Sequence, residues 1–502
     1  MELTRKYSTE FLDHVIELKY EYLEDPEIRI KKQRASINVN APILMMDRLT
    51  PLINAVISII IFFIIIFTLH PIISVLIFVI ILINTIINNR INMNNYQCQK
   101  EISRVYNNYY THFNDFSDSG AAKEIRIFNT KRFFTNILEK LAVKIDDLTI
   151  MELKYRNHMK TIHVITNFIQ KISLYTYLIY NVVVKELAIG SMTIYLSTIE
   201  QFNNALNTIF NLYINVARYS MDAQDYIDFM NIPEIQQQSG DLIPIFDSNS
   251  IIEFKHVSFQ YPNSNRYVLK DLNLKIYGSK KLCIVGGNGS GKTTFIKLLT
   301  RLYVPTEGEI LLNNINIKNY DIKKYHKLFA PVFQDYYLYN LSIAENIALT
   351  EQYDEIALNE VLLKSGMHSL ISNLPTGCDT QIFKNLNANG IEPSGGEGQK
   401  IAIARAMYHD APIYLLDEPT AALDPNSEYK IYSEFGDMIK NRTAILISHR
   451  LSGVQLVDII AVFDKGHVVE YGTHTELYQN NGIYTEMFNN QAQFYKDANN
   501  TD

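Results

Sequence analysis

Between Leu49 and Asn89 the chain holds no Asp, Glu, Lys or Arg. That run is about forty residues long, roughly twice what one helical bilayer crossing needs. Its centre, ISIIIFFIIIF from Ile57 to Phe67, is apolar on every face of a helix, whereas paired helices of a soluble core keep a polar stripe. His70-Pro71 interrupts the run near its middle and leaves no room for a loop domain. The prediction is a tight hairpin of two crossings, Leu49 to Leu69 and Ile72 to Ile87. A chain that is 20% charged overall and still contains such a run divides into a membrane part and a soluble part.

Two further crossings are expected over Thr161 to Val184 and Leu187 to Ala217, with a turn at Lys185-Glu186. Lys171, Glu200, Gln201, Asn203, Asn204 and Asn207 fall inside them. Polar groups within a crossing line a bundle interior or a water-filled path, and asparagines also hydrogen-bond between helices; both readings stand. Residues 1–231 then form a membrane domain with cytosolic helices over 1–48 and 90–160. Basic residues orient it: about eight in 1–48 and about a dozen in 90–160, against none at the His70 turn and one at the Lys185 turn, put both long segments inside. The N-terminus is not a signal peptide, since Glu10, Asp13, Glu17, Glu21, Glu24 and Asp25 interrupt any apolar core. Cys98, Cys283 and Cys378 are too scattered for a disulfide framework or zinc site. A net charge of -7 offers no basic field, so nucleic acid is not an expected partner.

Residues 232–250 are rich in Pro, Gln, Gly, Asp and Ser and read as a linker. Beyond it, over 251–488, short apolar strands alternate with helical stretches, the pattern of an α/β domain, and 489–502 is a polar tail. This domain contains KLCIVGGNGSGKTTFIKLL, from Lys281 to Leu299. An apolar strand, then Gly286, Gly287, Asn288, Gly289, Ser290, Gly291, Lys292 and Thr293, then a helix from about Thr294, is the strand, loop and helix context of a phosphate-binding loop. Glycines let backbone N–H groups turn toward an anion, Lys292 adds a point charge and Thr293 offers a hydroxyl to magnesium. The expected ligands are ATP and Mg2+.

Further candidates follow in order. Tyr261 in FQYPN can stack on adenine, or simply pack. Gln334 in PVFQD can face magnesium or the attacking water. PSGGEGQK, Pro393 to Lys400, is a glycine turn opening a helix. IYLLDEPT places Asp417 at a strand end for magnesium, with Glu418 beside it as candidate base. Asp424 in AALDP and His449 after AILIS complete the series.

With these motifs in this order, the chain resembles the ATP-binding cassette (ABC) transporters, and more narrowly the exporters that fuse a membrane domain to a nucleotide-binding domain. The resemblance implies that Tyr261 is the A-loop aromatic, Gly286 to Thr293 the Walker A loop and Gln334 the Q-loop. Ser394, Gly395, Gly396 and Glu397 match the signature, Asp417 and Glu418 the Walker B pair, Asp424 the D-loop and His449 the switch histidine. It also implies two cassettes facing each other, each signature closing on nucleotide held by the other, so a second copy or a related half-transporter is the expected partner. Catalysis falls to Glu418, His449 and Gln334, and magnesium to Thr293, Gln334 and Asp417. Glu124-Ile125-Arg126 resembles the second intracellular loop, and Tyr20 to Arg34 the first, which in these exporters follows the second membrane helix. Pro393 replaces the usual leucine, and Glu397 and Gly398 stand where Gln and Arg are common.

The expected fold is therefore a multi-domain membrane protein, an α-helical transmembrane bundle followed by an α/β P-loop NTPase domain. The expected setting is the cell membrane, multi-pass, in contact with lipid, with the nucleotide-binding domain in the cytoplasm. Export of a peptide, drug or lipid-like cargo is the leading reading; a membrane-anchored regulatory or sensing ATPase is the alternative.

Overall fold

The computed structural model describes residues 2–69, 71–184, 188–234, 240–262, 264–384, 388–418, 436, 439, 442–448 and 457–498. The chain forms two compact units: Met1–Asp13 with Ile30–Asn231, and His14–Arg29 with Ile232–Asp502. Its N-terminal helices are α1 (Glu2–Glu17), α2 (Tyr20–Glu24) and α3 (Pro26–Ile37).

The first unit is helical: α4 (Ala41–Met46), α5 (Leu49–Leu69), α6 (Pro71–Ser117), α7 (Ser119–Ile127), α8 (Lys131–Val184) and α9 (Ile189–Met230). Helices α6 and α8 pack along one another, as do α5 and α9. Ile66, Leu174, Leu178, Ile199 and Phe202 form a small core between α5, α8 and α9. On α5 the buried Ala55 and Ile66 mark one face, while Ile53, Ile57, Ile60, Ile64 and Phe67, at helical spacing, are 51% to 59% exposed. An apolar stripe left uncovered along a helix suits lipid, not water. Among the described residues, Ala41–Phe67 is the one stretch long and apolar enough to cross a membrane by length and composition, with a mean hydropathy of 2.7. The other expected crossings are parts of longer helices: Ile72 to Ile87 opens the 47-residue α6, Thr161 to Val184 closes the 54-residue α8, and the 42-residue α9 starts at Ile189. His70 and the turn residues Lys185, Glu186 and Leu187 lie outside the described residues.

In the second unit, β1 (Ile251–Gln260), β2 (Tyr267–Tyr277), β3 (Lys281–Gly286), α10 (Lys292–Leu299), β4 (Glu307–Leu312), β5 (Ile315–Asn316) and β6 (Phe329–Val332) come first. They are followed by β7 (Ile413–Asp417), β8 (Thr443–Ile447), β9 (Ile459–Asp464) and β10 (His467–Gly472). One sheet is antiparallel, in the order β2-β1-β4-β5; the other runs β10-β9-β3-β8-β7-β6 and is parallel from β9 to β6. Parallel strands are covered on both faces, which explains why β3, β7 and β8 read as continuous apolar runs. Within them alternate residues serve two cores. Leu282, Ile284, Ile413, Leu415, Ile445 and Ile447 pack toward α10 and β1, while Cys283, Val285, Tyr414, Leu416, Ala444 and Leu446 pack toward the helix Gly395–His409. The sheet order brings the C-terminal ends of β3 and β7 to either side of β8, the usual place for a ligand in such a sheet.

The segment His14–Arg29 belongs to this unit. Glu24 accepts hydrogen bonds from Lys297 Nζ, at 2.9 Å, and from the Tyr303 hydroxyl. Lys297 Nζ lies 5.3 to 5.6 Å from the ring centres of Tyr20, Tyr261 and Tyr303, in cation-π contact. Burial pushes the Glu24 carboxyl up, but the hydrogen bonds from Tyr303, Lys297 and Tyr20 outweigh it and leave the group below its ordinary value.

Candidate functional site

The loop after β3 is shaped by two glycines. At Gly286 a Cβ would stand 2.2 Å from the Phe463 carbonyl oxygen, and Gly291 opens α10 at a φ of 106°, where a side chain would be strained. Lys292 is buried and donates to the carbonyls of Gly286 and Gly287, at 2.9 and 3.0 Å. Burial lowers the pKa of its ammonium, opposed by the nearby carboxylates of Glu418 and Asp417. The loop encloses one side of a cavity of about 760 Å³, lined among others by Asn288, Gly289, Lys292, Thr293, Gln334 and Glu418. β3, β6 and β7 thus deliver three of the expected motifs to one place.

Asp417 ends β7, 3% exposed, and its Oδ1 has no hydrogen-bond partner. Burial first, then the negative charges of Glu418 and Asp335, hold its carboxyl at about 6, against the pull of Lys292. A buried carboxylate oxygen with no donor is costly. A divalent cation relieves it, so the donor set of Asp417, Thr293 and Gln334 fits magnesium.

Glu418 has a left-handed backbone, φ 49°, uncommon for a residue with a long side chain. It is fixed from three sides. Its N–H donates to the Ile447 carbonyl at 3.0 Å, its carbonyl accepts from Gln399 Nε2 at 3.3 Å, and its Oε2 accepts from Gln334 Nε2 at 3.2 Å. Strain held this way concentrates at sites where a side chain must be aimed.

Tyr261 is placed beside α10, not in the lining of this cavity: its hydroxyl pairs with Thr294 Oγ1 at 2.9 Å, and its ring meets Phe259 and Tyr303 edge-on. Ser394 caps the helix Gly395–His409 in a reciprocal box: its Oγ accepts from the Glu397 N–H at 3.3 Å, and Glu397 Oε2 accepts from Ser394 N–H and O–H at 2.7 and 2.8 Å. Neither Ser394, Gly395, Gly396 nor Glu397 lines this cavity. Asp424 and His449 lie outside the described residues; Ser448, just before the latter, is hydrogen-bonded through its N–H to Ile284.

Two residues went unnoticed in the sequence. Gln399 is buried and holds Glu418. Tyr336, two residues beyond Gln334, donates its hydroxyl to the Gly395 carbonyl at 2.9 Å, and a Cβ at Gly398 would lie 2.7 Å from that hydroxyl. Gly398, standing where Arg is common, was the available signal: the missing side chain leaves room for the tyrosine ring.

Residues 269–421 match the family described as ABC transporter. They form an ABC transporter ATPase domain. The chain is 33% identical to the subtilin transport ATP-binding protein SpaT of Bacillus subtilis over 377 residues, covering 73% of this chain and 60% of SpaT. It is 31% identical to the ATP-dependent lipid A-core flippase of Wigglesworthia glossinidia brevipalpis over 371 residues, covering 73% and 62%. The chain spans about three fifths of the length of these relatives. The fold of the whole chain resembles a bacterial Atm1-family ABC exporter solved with ATP bound, with a TM-score of 0.80 at 22% identity, covering 98% of this chain and 85% of that one. A helical unit and an ABC transporter domain are therefore joined in one polypeptide.

Proposed function

We propose that this chain is an ATP-hydrolysing export subunit that pairs with a second copy or a related half-transporter and moves a peptide, drug or lipid-like substrate across the cell membrane. One observation carries the reading: Lys292, Thr293, Gln334 and Glu418 share a cavity to which the signature residues Ser394 to Glu397 contribute nothing. A half-site of this kind is completed by another cassette. Lys292 exchanges its two loop carbonyls for phosphate oxygens when ATP enters, and the N–H groups at the start of α10 add their partial charge. Thr293, Gln334 and Asp417 would hold Mg2+, which when bound neutralises phosphate charge and orients the terminal phosphate. Glu418, aimed by Gln334 and Gln399, takes a proton from the attacking water. The Ser394 hydroxyl and its helix N-terminus face the phosphates of the partner's nucleotide. Pairing of the cassettes favours one membrane conformation and their release the other, so each cycle shifts the helices between inward- and outward-facing states.

Glu418→Gln should keep ATP binding and lose turnover by about 10² or more. Loss of ATP affinity in that variant would show the role misassigned. Mixing the parent chain with a Ser394→Ala variant should depress ATPase in proportion to mixed pairs, and full activity from monomers would end the two-chain reading. The topology proposed is four crossings with Met1 and Asp502 cytosolic, which puts the cassette with ATP. A cysteine at position 70 should react with an impermeant reagent from outside and one at 129 should not; the reverse would overturn the orientation.

A further inference from the structure

A second cavity, of about 330 Å³, lies among α6, α8 and α9. Its depth follows from helix geometry. Asn84 is 13 residues from the start of α6, Gln170 is 14 from the end of α8 and Asn204 is 15 from the start of α9, each roughly 20 Å from its helix end and so within a hydrocarbon layer about 30 Å thick. Three helices thus bring polar residues to one level. On one wall Asn84, 4% exposed, donates from Nδ2 to Asn167 Oδ1 at 2.8 Å and to Gln170 Oε1 at 3.2 Å, and accepts from the Thr166 hydroxyl. This wall is fixed.

Lys171 of α8 and Glu200 of α9 also line the cavity, and neither makes an ion pair with another described residue. Opposite charges at this depth are expensive when left in hydrocarbon, and they persist where something meets them. Asn203, Asn204 and Asn207 add amides along α9, and the remaining lining includes Leu174, Leu196 and Ile199. A cation, a carboxylate, several amides and a small aliphatic patch, in a space at the small end of ligand pockets, describe the complement of one kind of solute.

We infer that this cavity binds a zwitterion with amide groups between its charges, namely a short peptide with free ends, its carboxylate toward Lys171 and its ammonium toward Glu200. The inference rests on the export reading and names its cargo class. The test is equilibrium binding of three probes to the full chain in lipid nanodiscs without nucleotide: trialanine, trialanine amide and N-acetyl-trialanine. Trialanine should bind tightest, with each blocked form weakened about tenfold or more, the scale of a lost desolvated charge contact. Lys171→Met should weaken trialanine to the level of its amide while no longer distinguishing the two, and Glu200→Gln should do the same toward the acetylated form. Lys171→Arg, which keeps the charge, should restore discrimination and so separates a lost contact from a misfolded helix. Equal affinity for all three probes, or no binding by a chain that retains basal ATPase, overturns the inference and leaves the export reading intact. Discriminating binding by a chain that never hydrolyses ATP would keep the site and sink the export reading instead.

Discussion

Asp417→Asn tests the magnesium assignment through stability as well as turnover. In the fold Asp417 is held at about 6 against its ordinary 3.8, chiefly by burial. A carboxyl raised in the folded state binds its proton more tightly there than in the unfolded chain. Its contribution is therefore fully favourable below about pH 4 and is lost as pH rises through 6. Above that, the charged form costs about 3 kcal/mol, at about 1.4 kcal/mol per pH unit between the two values. Asparagine removes the titration and keeps the shape. In thermal unfolding of the full chain without magnesium or nucleotide, the variant should match its parent near pH 4 and exceed it at pH 7.5. For a domain of this size about 3 kcal/mol corresponds to a ceiling of about 6 to 12 °C. Mg-ATP should reverse the ranking, because only the parent gains binding energy from the cation. A difference that stays flat between pH 4 and 7.5, or a variant less stable than its parent at pH 7.5, would refute the claim that Asp417 is an uncompensated charge waiting for a cation.

Three other outcomes are expected. Gly398→Ala should lower ATPase about tenfold, a change of about 1.4 kcal/mol in the barrier, with ATP affinity unchanged, because its Cβ collides with Tyr336; adding Tyr336→Leu should recover part of the loss, and kinetics on the two variants decide it. Glu24→Gln should speed hydrogen exchange over residues 14–29, since it weakens the bonds to Lys297 and Tyr303, while basal ATPase stays within about twofold, the pair being partly exposed. Gly291→Ala should lose nucleotide affinity and destabilise the cassette by about 1–3 kcal/mol, as titration and thermal unfolding will show, because φ is 106° there and the Cβ meets Leu269 at 2.5 Å.

What could be read from the sequence was local. β3, the glycine loop and α10 occupy nineteen consecutive residues from Lys281 to Leu299, so their pattern carries both the fold and the chemistry. α5 was legible as a helix for the same reason, its apolar run being continuous from Leu49 to Leu69. The lengths of α6 and α8 were not, because each runs without a break between an apolar stretch and a polar one, and hydropathy changes there while the backbone does not. The site's fine geometry was hidden by distance along the chain. Gln334 reaches Glu418 across 84 residues, and Tyr336 reaches Gly395 across 59; no periodicity encodes such pairs. Glu418 shows why this matters for function. Its type suggests a base, but the left-handed backbone, pinned by Ile447 and Gln399, is what aims the carboxylate at the cavity. The segment around Glu24 makes the same point from the other end of the chain: a charge that reads as solvated helix surface is held by Lys297 and Tyr303, next to the ring of Tyr261. One half-buried lysine on α10 thereby ties the segment around Glu24 to the helix that opens at the glycine loop.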